Sequence, residues 1–484
     1  MASIRRSLVL SFAQRYSALA IQFASMVLLA RLLSPEEFGT FAVAAALVTL
    51  ANVLQDFGAG NYLVKETELT RPKIETAFSL ALVIAWPLGL LLFLSAPFLA
   101  EWYANPAVNE VLRLLSLTFI LVPFSTPVLA LMRRDMQFGR LYGVGVASAA
   151  ATASVSISLA LHGTGVTSLA WGLLAGSVAS TVLAHCLRPG YLFLKPGVSH
   201  WAEVLGFGGQ SAAIAALSEL GNQAPSLVAG RLLGFEATGL LHRATATIHI
   251  YRKGVLDGLM PVLLPAFAGK VRSGISLKPL YLRGISYLTV VGWPFSLVLA
   301  LLAHPLVRVL FGDQWDAAVP VIQVLCLLGV VTPFIHLNRS LFIAVGRIDI
   351  SLKIQLIVQP LKIVLVVVAA TQGLLPLAFA LCLPPLLNAI ISHGYLTKLL
   401  DYGIADLLQA GRQSLAVTLL ASAVPLAVIA ALGAEPENSL LALALGGLGA
   451  FAGWLTGLMV FAHPAKTEIG IAVSRVLPGF VRAS

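Results

Sequence analysis

Charged residues are scarce in this chain. They make up 11% of its 484 residues, whereas a soluble protein of this length is about one-quarter charged. Apolar runs of about 18 residues or more recur from end to end instead, each long enough to cross about 30 Å of hydrocarbon. The sequence therefore predicts an all-α polytopic membrane protein. A β-barrel is excluded because it would show short alternating strands.

Cysteine and the common catalytic motifs are also rare or missing. Cys186, Cys326 and Cys382 lie far apart in apolar stretches, which indicates neither a disulfide framework nor a metal site. No Walker lysine loop, HExxH or GxSxG motif occurs, so ATP is not the expected energy source and no catalytic residue or cofactor is predicted. A membrane glycosyltransferase or ligase would carry long outside loops, whereas those here are short. We do not expect an enzyme.

The basic residues follow the positive-inside rule. The net charge is +10, but 21 of the 31 Lys and Arg residues lie in alternate connections and in the two tails. The opposite loops hold only Arg31, Arg113, Arg231 and Arg308. This bias predicts that both termini are cytoplasmic and that the number of spans is even. It leaves no basic domain of the kind that binds nucleic acid.

Short stretches of polar residues, glycine and proline separate the apolar runs and predict about fourteen transmembrane helices. The predicted spans are 8–30, 38–58, 75–99, 110–132, 141–161, 166–186, 205–230, 238–262, 283–303, 317–344, 351–371, 374–398, 412–432 and 439–462.

An internal repeat groups these spans. Arg31-Leu32-Leu33 recurs 200 residues later from Arg231, and Pro123-Phe124 recurs 210 residues later from Pro333. Six spans separate the copies, so both copies cross the membrane in the same direction. We expect two pseudo-symmetric six-helix lobes, residues 1–200 and 201–403, around a central cavity. Residues 404–484 would add two C-terminal helices and a cytoplasmic tail.

The most polar helical face belongs to span 8, between His242 and Asp257. A lipid-facing helix cannot carry it, because each charge in a bilayer costs at least about 2.5 kcal/mol. The face must line water or be covered by protein, although anchoring at the membrane interface is an alternative for its first residues. We expect cavity roles for Arg243, Arg252 and Lys253, and treat His249 and Asp257 as ion-coupling candidates.

Other spans carry polar positions of the same kind. Span 1 has a polar stripe, span 7 has Asn222, span 10 has Arg339 just after its proline, and span 11 has a face of polar residues at helical spacing. Helix packing is the alternative; it is favoured for the small residues, whereas cavity lining is favoured for the larger ones. The predicted cavity residues in these spans are Gln14, Arg15, Gln22, Asn222, Arg339, Gln359 and Lys362.

Glu219 is the acidic residue in the interior of span 7. Burial raises the pKa of a carboxyl group towards working pH, so an intramembrane carboxylate is a natural proton or cation site. The alternative is an ion pair with Arg243 or Arg252. Both interpretations remain open from the sequence.

Four segments resemble a known family. LARLLSPEEFGTFAVAAALVTLANVLQDFGAGNYLVKE (29–66) is similar to the N-terminal signature of bacterial polysaccharide flippases, the Wzx-type and colanic-acid-exporter-like members of the multidrug/oligosaccharidyl-lipid/polysaccharide exporter superfamily. ALMRRDMQFGRL (130–141), VAGRLLGFEATGLLHRA (228–244) and LFGDQWDAAVPVIQVLCLLG (310–329) resemble later segments of the same family.

The resemblance implies a flippase in the bacterial inner membrane. Its cargo would be an undecaprenyl-diphosphate-linked oligosaccharide for exopolysaccharide, capsule or O-antigen assembly, moved by alternating access. A proton or sodium ion and a polysaccharide polymerase are candidate partners. A multidrug or small-metabolite antiporter and a lipid II-type flippase are the alternatives. Six basic residues at membrane depth favour an anionic cargo over a cationic one.

Overall fold

The structure is a computed structural model that describes residues 17, 19–55, 59–66, 68–191, 196–197, 199, 201–251, 267–273, 275–433 and 436–466. These residues are helical or in turns, and none of them forms a strand. The chain divides into two compact units, Met1–His242 and Arg243–Ser484. The predicted all-α class is confirmed. The predicted boundaries at residues 200 and 403 remain predictions.

In the described residues of the first unit there are nine α-helices and the start of a tenth. They are α1 (Leu19–Leu32), α2 (Pro35–Gln55), α3 (Ala59–Lys65), α4 (Arg71–Trp102), α5 (Ala107–Ser116), α6 (Thr118–Arg134), α7 (Phe138–Leu161), α8 (Thr167–Leu187), α9 (Trp201–Leu232) and α10 (Phe235–Tyr251).

The second unit begins within α10. Its further helices are α11 (Lys278–Leu301), α12 (Ala303–Leu310), α13 (Val319–Leu325), α14 (Leu328–His336), α15 (Asn338–Ala344), α16 (Ile348–Ala370), α17 (Leu374–Leu400), α18 (Ile404–Leu432) and α19 (Ser439–Val460).

Within the described ranges, ten helices are long and apolar enough to cross a membrane, and eleven if one bent pair counts as a single span. Span 1 is described only from Leu19, and span 8 only as far as Tyr251. Span 7 is the 32-residue helix α9. The chain is a multi-pass membrane protein. The total of fourteen spans is compatible with these helices and remains a prediction.

Two predicted spans have interrupted helical hydrogen bonding, which the hydropathy pattern did not show. Span 4 continues from α5 into α6 through Leu117, which keeps helical backbone angles, and span 10 divides at Cys326–Leu327 with a bend of 50°. The interruptions at Leu117 and Leu327 are 210 residues apart, the same offset as the two Pro-Phe pairs. The repeat therefore extends from sequence to helix geometry.

A reciprocal hydrogen-bond pair fixes the start of α2. The Ser34 N–H donates to Glu37 Oε2 at 2.7 Å, and the Glu37 N–H donates to Ser34 Oγ at 3.3 Å. This capping box satisfies backbone groups that a helix start leaves unpaired. One turn later, Gly39 lets the backbone of α10 approach. A Cβ atom on Gly39 would lie 1.7 Å from the Phe235 carbonyl oxygen.

The repeat-related glycine makes the reciprocal contact. A Cβ atom on Gly239 would lie 1.8 Å from the carbonyl oxygen of Pro35. Pro35 and Phe235 are 200 residues apart, as are the two glycines. Within the first unit, the two copies of this motif therefore cross through their glycines.

Apolar side chains cover both the interior and the outside of the units. The core of the first unit joins α2, α4, α5 and α8, and that of the second joins α11, α15, α16 and α17. Leu90, Leu91, Leu94 and Phe98 of α4 are 58–66% exposed. An exposed apolar stripe on a long apolar helix is the surface expected to face lipid.

Candidate functional site

A cavity of about 910 Å³ lies inside the first unit, bordered by α1, α6, α7 and α8. Its wall is largely apolar, with Leu129, Phe138, Leu141 and Val144 among the lining residues. No acidic residue lines it among the described part of the chain. The polar lining residues are Gln22, Ser25, Arg133, Ser148, Thr152, Ser156 and Ser180. Such a cavity can form hydrogen bonds to a ligand, and its one cation favours negative charge.

Close packing of α7 on α8 forms one wall. Ser148 Oγ donates a hydrogen bond to the Gly176 carbonyl oxygen at 2.9 Å. A Cβ atom on Gly176 would lie 2.1 Å from Thr152 Oγ1, and one on Gly172 would lie 1.8 Å from Ser156 Oγ. The glycines therefore make room for a row of hydroxyls at the helix contact. Small residues let membrane helices approach in this way.

Arg133 differs from the basic residues around it. Its side chain is exposed and lines the cavity, and it forms no hydrogen bond or ion pair with any residue described in the structure. Its sequence neighbour Arg134 donates to the carbonyl oxygens of Leu63, at 3.0 Å, and of Glu66. The two adjacent arginines thus have separate roles. Arg134 ties α6 to α3, whereas Arg133 is available to a ligand.

The other basic residues at this end of the unit are also engaged. Arg188 pairs with Asp135 at 2.5 Å, and Arg140 donates to Gln137 Oε1 at 3.2 Å. Lys73 pairs with Glu66 at 2.9 Å, and this hydrogen bond holds the pKa of the Glu66 carboxyl below its usual range. Among the described lining residues, Arg133 is therefore the cation that faces the cavity.

The predicted cavity residues are dispersed in the structure. Gln22 lines the cavity of the first unit. Asn222 lies on α9, where its Nδ2 is 3.5 Å from Glu219 Oε2. The side chain of Arg339, on α15, lies outside the described part, as do the residues Gln14, Arg15, Arg252, Lys253 and Asp257.

Arg243 is buried between aromatic rings of the second unit. Its side chain is 2% exposed, and its guanidinium carbon lies 4.8 Å from the Phe311 ring centre and 4.7 Å from that of Trp315. Cation–π attraction stabilises this arrangement. Val43, 200 residues earlier, is the repeat-related residue and is fully buried in an apolar cluster. The second copy of the repeat therefore has a charged arginine where the first copy has a valine.

Glu219 is held by amides of its own helix. Gln223 Nε2 donates to Glu219 Oε1 at 2.6 Å, one turn further along α9. The amide groups of Asn222 and Gln223 thus supply hydrogen bonds to the Glu219 carboxylate, whose side chain is half-buried. His249, the other described ion-coupling candidate, is half-buried on α10. Their proposed coupling roles remain predictions.

Gln359 and Lys362 lie on α16 as predicted. Gln359 is buried, and its Nε2 donates to Gln355 Oε1 at 2.8 Å. Its own Oε1 is buried without a hydrogen-bond partner among the described residues. Lys362 is half-buried. This face of α16 therefore has a buried amide oxygen that can accept a further hydrogen bond inside the second unit.

The sequence did not single out Arg133 or Ser148 as site residues. Arg133 belongs to the Arg133-Arg134 pair at the end of a span, which the positive-inside rule already explains. The regular spacing of Ser148, Thr152 and Ser156 on one face of α7 was a visible signal. Only the assignment of partners in three dimensions separates the free arginine from the bound one.

Comparison with known proteins identifies relatives along most of the chain. The family described as "Polysaccharide biosynthesis protein" matches residues 28–320. The lipopolysaccharide biosynthesis protein WzxC of Escherichia coli K12 is 24% identical over 379 residues, which cover 77% of this chain and 76% of that protein. The succinoglycan biosynthesis transport protein ExoT of Rhizobium meliloti is 27% identical over 68% of this chain and 67% of its own.

Solved structures show the same fold. Lipid II flippase MurJ, in an inward closed conformation, superposes with a TM-score of 0.74 at 12% identity, covering 94% of this chain and 99% of that chain. An inward-facing multidrug resistance MATE family transporter of the MOP superfamily superposes with a TM-score of 0.58 at 15% identity, covering 81% and 98%. At these identities the likeness concerns the fold alone.

Proposed function

The chain belongs to the family of polysaccharide biosynthesis proteins, and from this premise we propose that it is a flippase for an undecaprenyl-diphosphate-linked oligosaccharide. It serves exopolysaccharide, capsule or O-antigen assembly in the bacterial inner membrane, with both termini in the cytoplasm. It is a transporter and not an enzyme. Relatives named for lipopolysaccharide biosynthesis and for succinoglycan transport support this assignment.

The chemistry of the first unit's cavity is the observation that carries the proposal. Sugars present many hydroxyl groups, and the amide of Gln22 and the hydroxyls of α7 and α8 can exchange hydrogen bonds with them. A diphosphate bears fixed negative charge, and a guanidinium binds phosphate oxygens through two parallel hydrogen bonds. Arg133 provides that group at the cavity wall. A cationic drug would meet a positive charge there and no carboxylate among the described lining residues.

The position of Arg133 suggests the order of events. It lies in the last turn of α6, at the end predicted to be cytoplasmic. The diphosphate contacts Arg133 as the head group enters from the cytoplasmic leaflet, the sugar occupies the cavity, and the polyprenyl tail stays in lipid. Alternating access then exposes the sugar to the periplasmic side. The predicted basic residues Arg15, Arg243, Arg252, Lys253, Arg339 and Lys362 would contact the anionic head group during this passage.

Ion coupling and a protein partner complete the proposal. Glu219, His249 and Asp257 are the candidates for binding a proton or a sodium ion. A polysaccharide polymerase would receive the delivered oligosaccharide. A lipid II-type flippase shares the fold and the diphosphate chemistry, so the cargo's sugar must be tested directly.

Transport in proteoliposomes tests this function. Purified protein is reconstituted with a fluorescent undecaprenyl-diphosphate oligosaccharide, and an external glycosidase reports how much cargo has crossed. We expect protein-dependent crossing that excess lipid II does not inhibit. No crossing, together with gradient-driven efflux of a cationic dye, would contradict the proposal and favour an antiporter.

Arg133→Gln tests the role of the cavity in the same assay. A hydrogen bond to a charged group contributes about 1.5–3 kcal/mol, so the variant should lower the transport rate at limiting cargo about tenfold to one-hundredfold. Arg140→Gln is the matched control, because Arg140 lies at the same end but contacts Gln137 and the Leu187 carbonyl oxygen instead. Equal losses in both variants would indicate a general surface-charge effect.

A further inference from the structure

Four polar side chains meet inside the apolar core of the second unit. They are His393 on α17, Tyr402 just after that helix, Tyr281 on α11 and Asn338 at the start of α15. Tyr281, Asn338 and Tyr402 are at most 4% exposed. Helices α11, α15 and α17 are far apart in sequence, so the fold itself brings their side chains together. We refer to the four residues as the imidazole–phenol cluster.

Two hydrogen-bonded pairs lie side by side. His393 Nδ1 is hydrogen-bonded to the Tyr402 hydroxyl, and the Tyr281 hydroxyl donates to Asn338 Oδ1 at 3.0 Å. The ring centres of Tyr281 and Tyr402 lie 5.6 Å apart, so the two phenol groups are neighbours. The two tyrosines therefore join the imidazole and the amide in one polar cluster.

The first unit has apolar residues at the positions equivalent to two of these groups. The 210-residue offset pairs Asn338 with Val128. Helices α4 and α11, which begin with Arg71-Pro72 and Lys278-Pro279, pair Tyr281 with Ile74. Val128 and Ile74 are both buried among apolar side chains. Because burying polar groups is costly, their presence in one repeat alone points to a functional requirement.

The cluster can hold an imidazole in either charge state. With neutral His393, the Tyr402 O–H donates to Nδ1. When Nδ1 takes a proton from a hydronium ion of the solvent, water is released, the new N–H donates to the Tyr402 oxygen, and the Tyr402 O–H rotates towards the neighbouring Tyr281 hydroxyl. Tyr281 continues to donate to Asn338. One N–H bond forms and one hydroxyl rotates, while His393 Nε2 and Asn338 Nδ2 have no hydrogen-bond partner among the described residues.

Tyr402 acts as a neutral hydroxyl in both states. It lies in the connection between α17 and α18, and burial raises its pKa to about 12. It therefore keeps its proton across the physiological range. The rotation of its O–H, rather than its ionisation, transmits the change at His393.

Apolar side chains surround His393, and the charged groups on the neighbouring elements form no ion pair with it among the described residues. Phe334 of α14 packs on its imidazole, and α16 contributes Ile350, Ile354 and Val358 to the same core. The charged and ionisable groups on the surrounding elements are the pair Lys278–Asp406, the cluster Arg347–Asp349–Lys353, Arg283, Lys362, Lys398, Asp401, His336 and Arg339.

We propose that His393 is a proton-binding site of the transport cycle, with Tyr402, Tyr281 and Asn338 as positioning residues that stabilise its protonated form. The predicted effect on transport rests on the proposed flippase function, whereas the proton-binding site itself does not. It makes transport responsive to proton concentration through the second unit, independently of Glu219, His249 and Asp257.

Histidine-selective NMR of the full-length protein in lipid nanodiscs tests the site without any cargo. His393→Gln identifies the His393 signals, and His304→Gln, which changes a histidine of α12, is the matched control. We expect the His393 signals to shift reversibly as the pH is lowered across the range in which the protein stays folded. Tyr402→Phe should move the midpoint to lower pH by about one unit, the tenfold change expected on losing one hydrogen bond to a charged group. A His393 that stays neutral throughout this range overturns the proposal.

Transport under an imposed pH gradient tests the consequence. Wild type should respond to the gradient, and His393→Gln should flip cargo at a rate that no longer depends on it. Asn338→Val installs the first unit's side chain, so it should fold and weaken the response. An unchanged response in His393→Gln contradicts the proposal. If wild type moves no cargo at all, the proposed function fails, while the NMR titration still decides the proton site.

Discussion

Replacing Gly39 by alanine should disrupt the first unit. The added Cβ would lie 1.7 Å from the Phe235 carbonyl oxygen and 2.9 Å from the Gly239 nitrogen. The first separation is 1.3 Å below 3.0 Å, a distance under which real Cβ contacts essentially do not occur. Both contacted atoms belong to the backbone of α10, so no side-chain rotation relieves the overlap and the helices must move apart.

The expected cost is at the upper end of the range for overpacking, about 3 kcal/mol. That corresponds to more than a hundredfold change in the ratio of folded to unfolded protein. Gly239→Ala should have the same effect, because its Cβ would lie 1.8 Å from the Pro35 carbonyl oxygen. Thermal unfolding in detergent, followed by size-exclusion chromatography, measures the loss.

Gly143→Ala is the matched control for this substitution. Gly143 lies on α7, and a Cβ atom there would meet no atom within 4 Å. Alanine also favours helix over glycine by about 1 kcal/mol. We expect unchanged or slightly higher stability in this control. If Gly39→Ala proves as stable as Gly143→Ala, the close crossing of α2 and α10 is wrong.

Two further predictions concern buried polar groups. Arg243→Met should leave the free energy of unfolding unchanged or raise it by up to about 4 kcal/mol, because an apolar side chain of similar volume can replace a buried charge. Val43 fills the repeat-related position in the same way. Thermal unfolding measures the effect, and a large loss of stability would show that the guanidinium itself is required for packing. His463 accepts a hydrogen bond from the Ala465 N–H on Nδ1 and contacts Ser286 through Nε2, and burial lowers its pKa. Below about pH 6.5 the unfolded chain therefore binds a proton at His463 that the native state does not bind, and the stability should fall as the pH drops. His463→Gln should flatten this pH dependence. If wild type and His463→Gln show parallel pH profiles of melting temperature, the prediction is wrong.

Hydropathy predicted the helical membrane architecture, and the orientation inferred from charge placement stays a prediction. Hydropathy could not show the interruption at Leu117 or the bend at Cys326–Leu327, because both positions lie in apolar runs without glycine or proline at the position itself. Apolar content indicates that a segment is buried in lipid or protein, but it does not indicate where the helix axis bends. The 210-residue repeat links the two positions only when the structure is compared with the sequence.

The candidate site was less accessible to sequence reasoning. Gln22 was predicted from the polar stripe of span 1, since helical spacing places such residues on one face. Arg133 was not, because its difference from Arg134 depends on carbonyl groups at Leu63 and Glu66, about 70 residues earlier. Arg243 likewise meets Phe311 and Trp315 only through the fold. Contacts between distant segments decide which polar residues remain available to a ligand.

Photocrosslinking with a lipid-linked oligosaccharide that carries a diazirine on its first sugar tests the cavity most directly. The reconstituted full-length protein is irradiated, digested and mapped by mass spectrometry. We predict adducts on the segments that border the cavity, around Gln22, Arg133 and Ser148, and their loss in the presence of excess unlabelled cargo. Adducts confined to α11–α19, or labelling that excess cargo does not reduce, would contradict a sugar-binding cavity in the first unit.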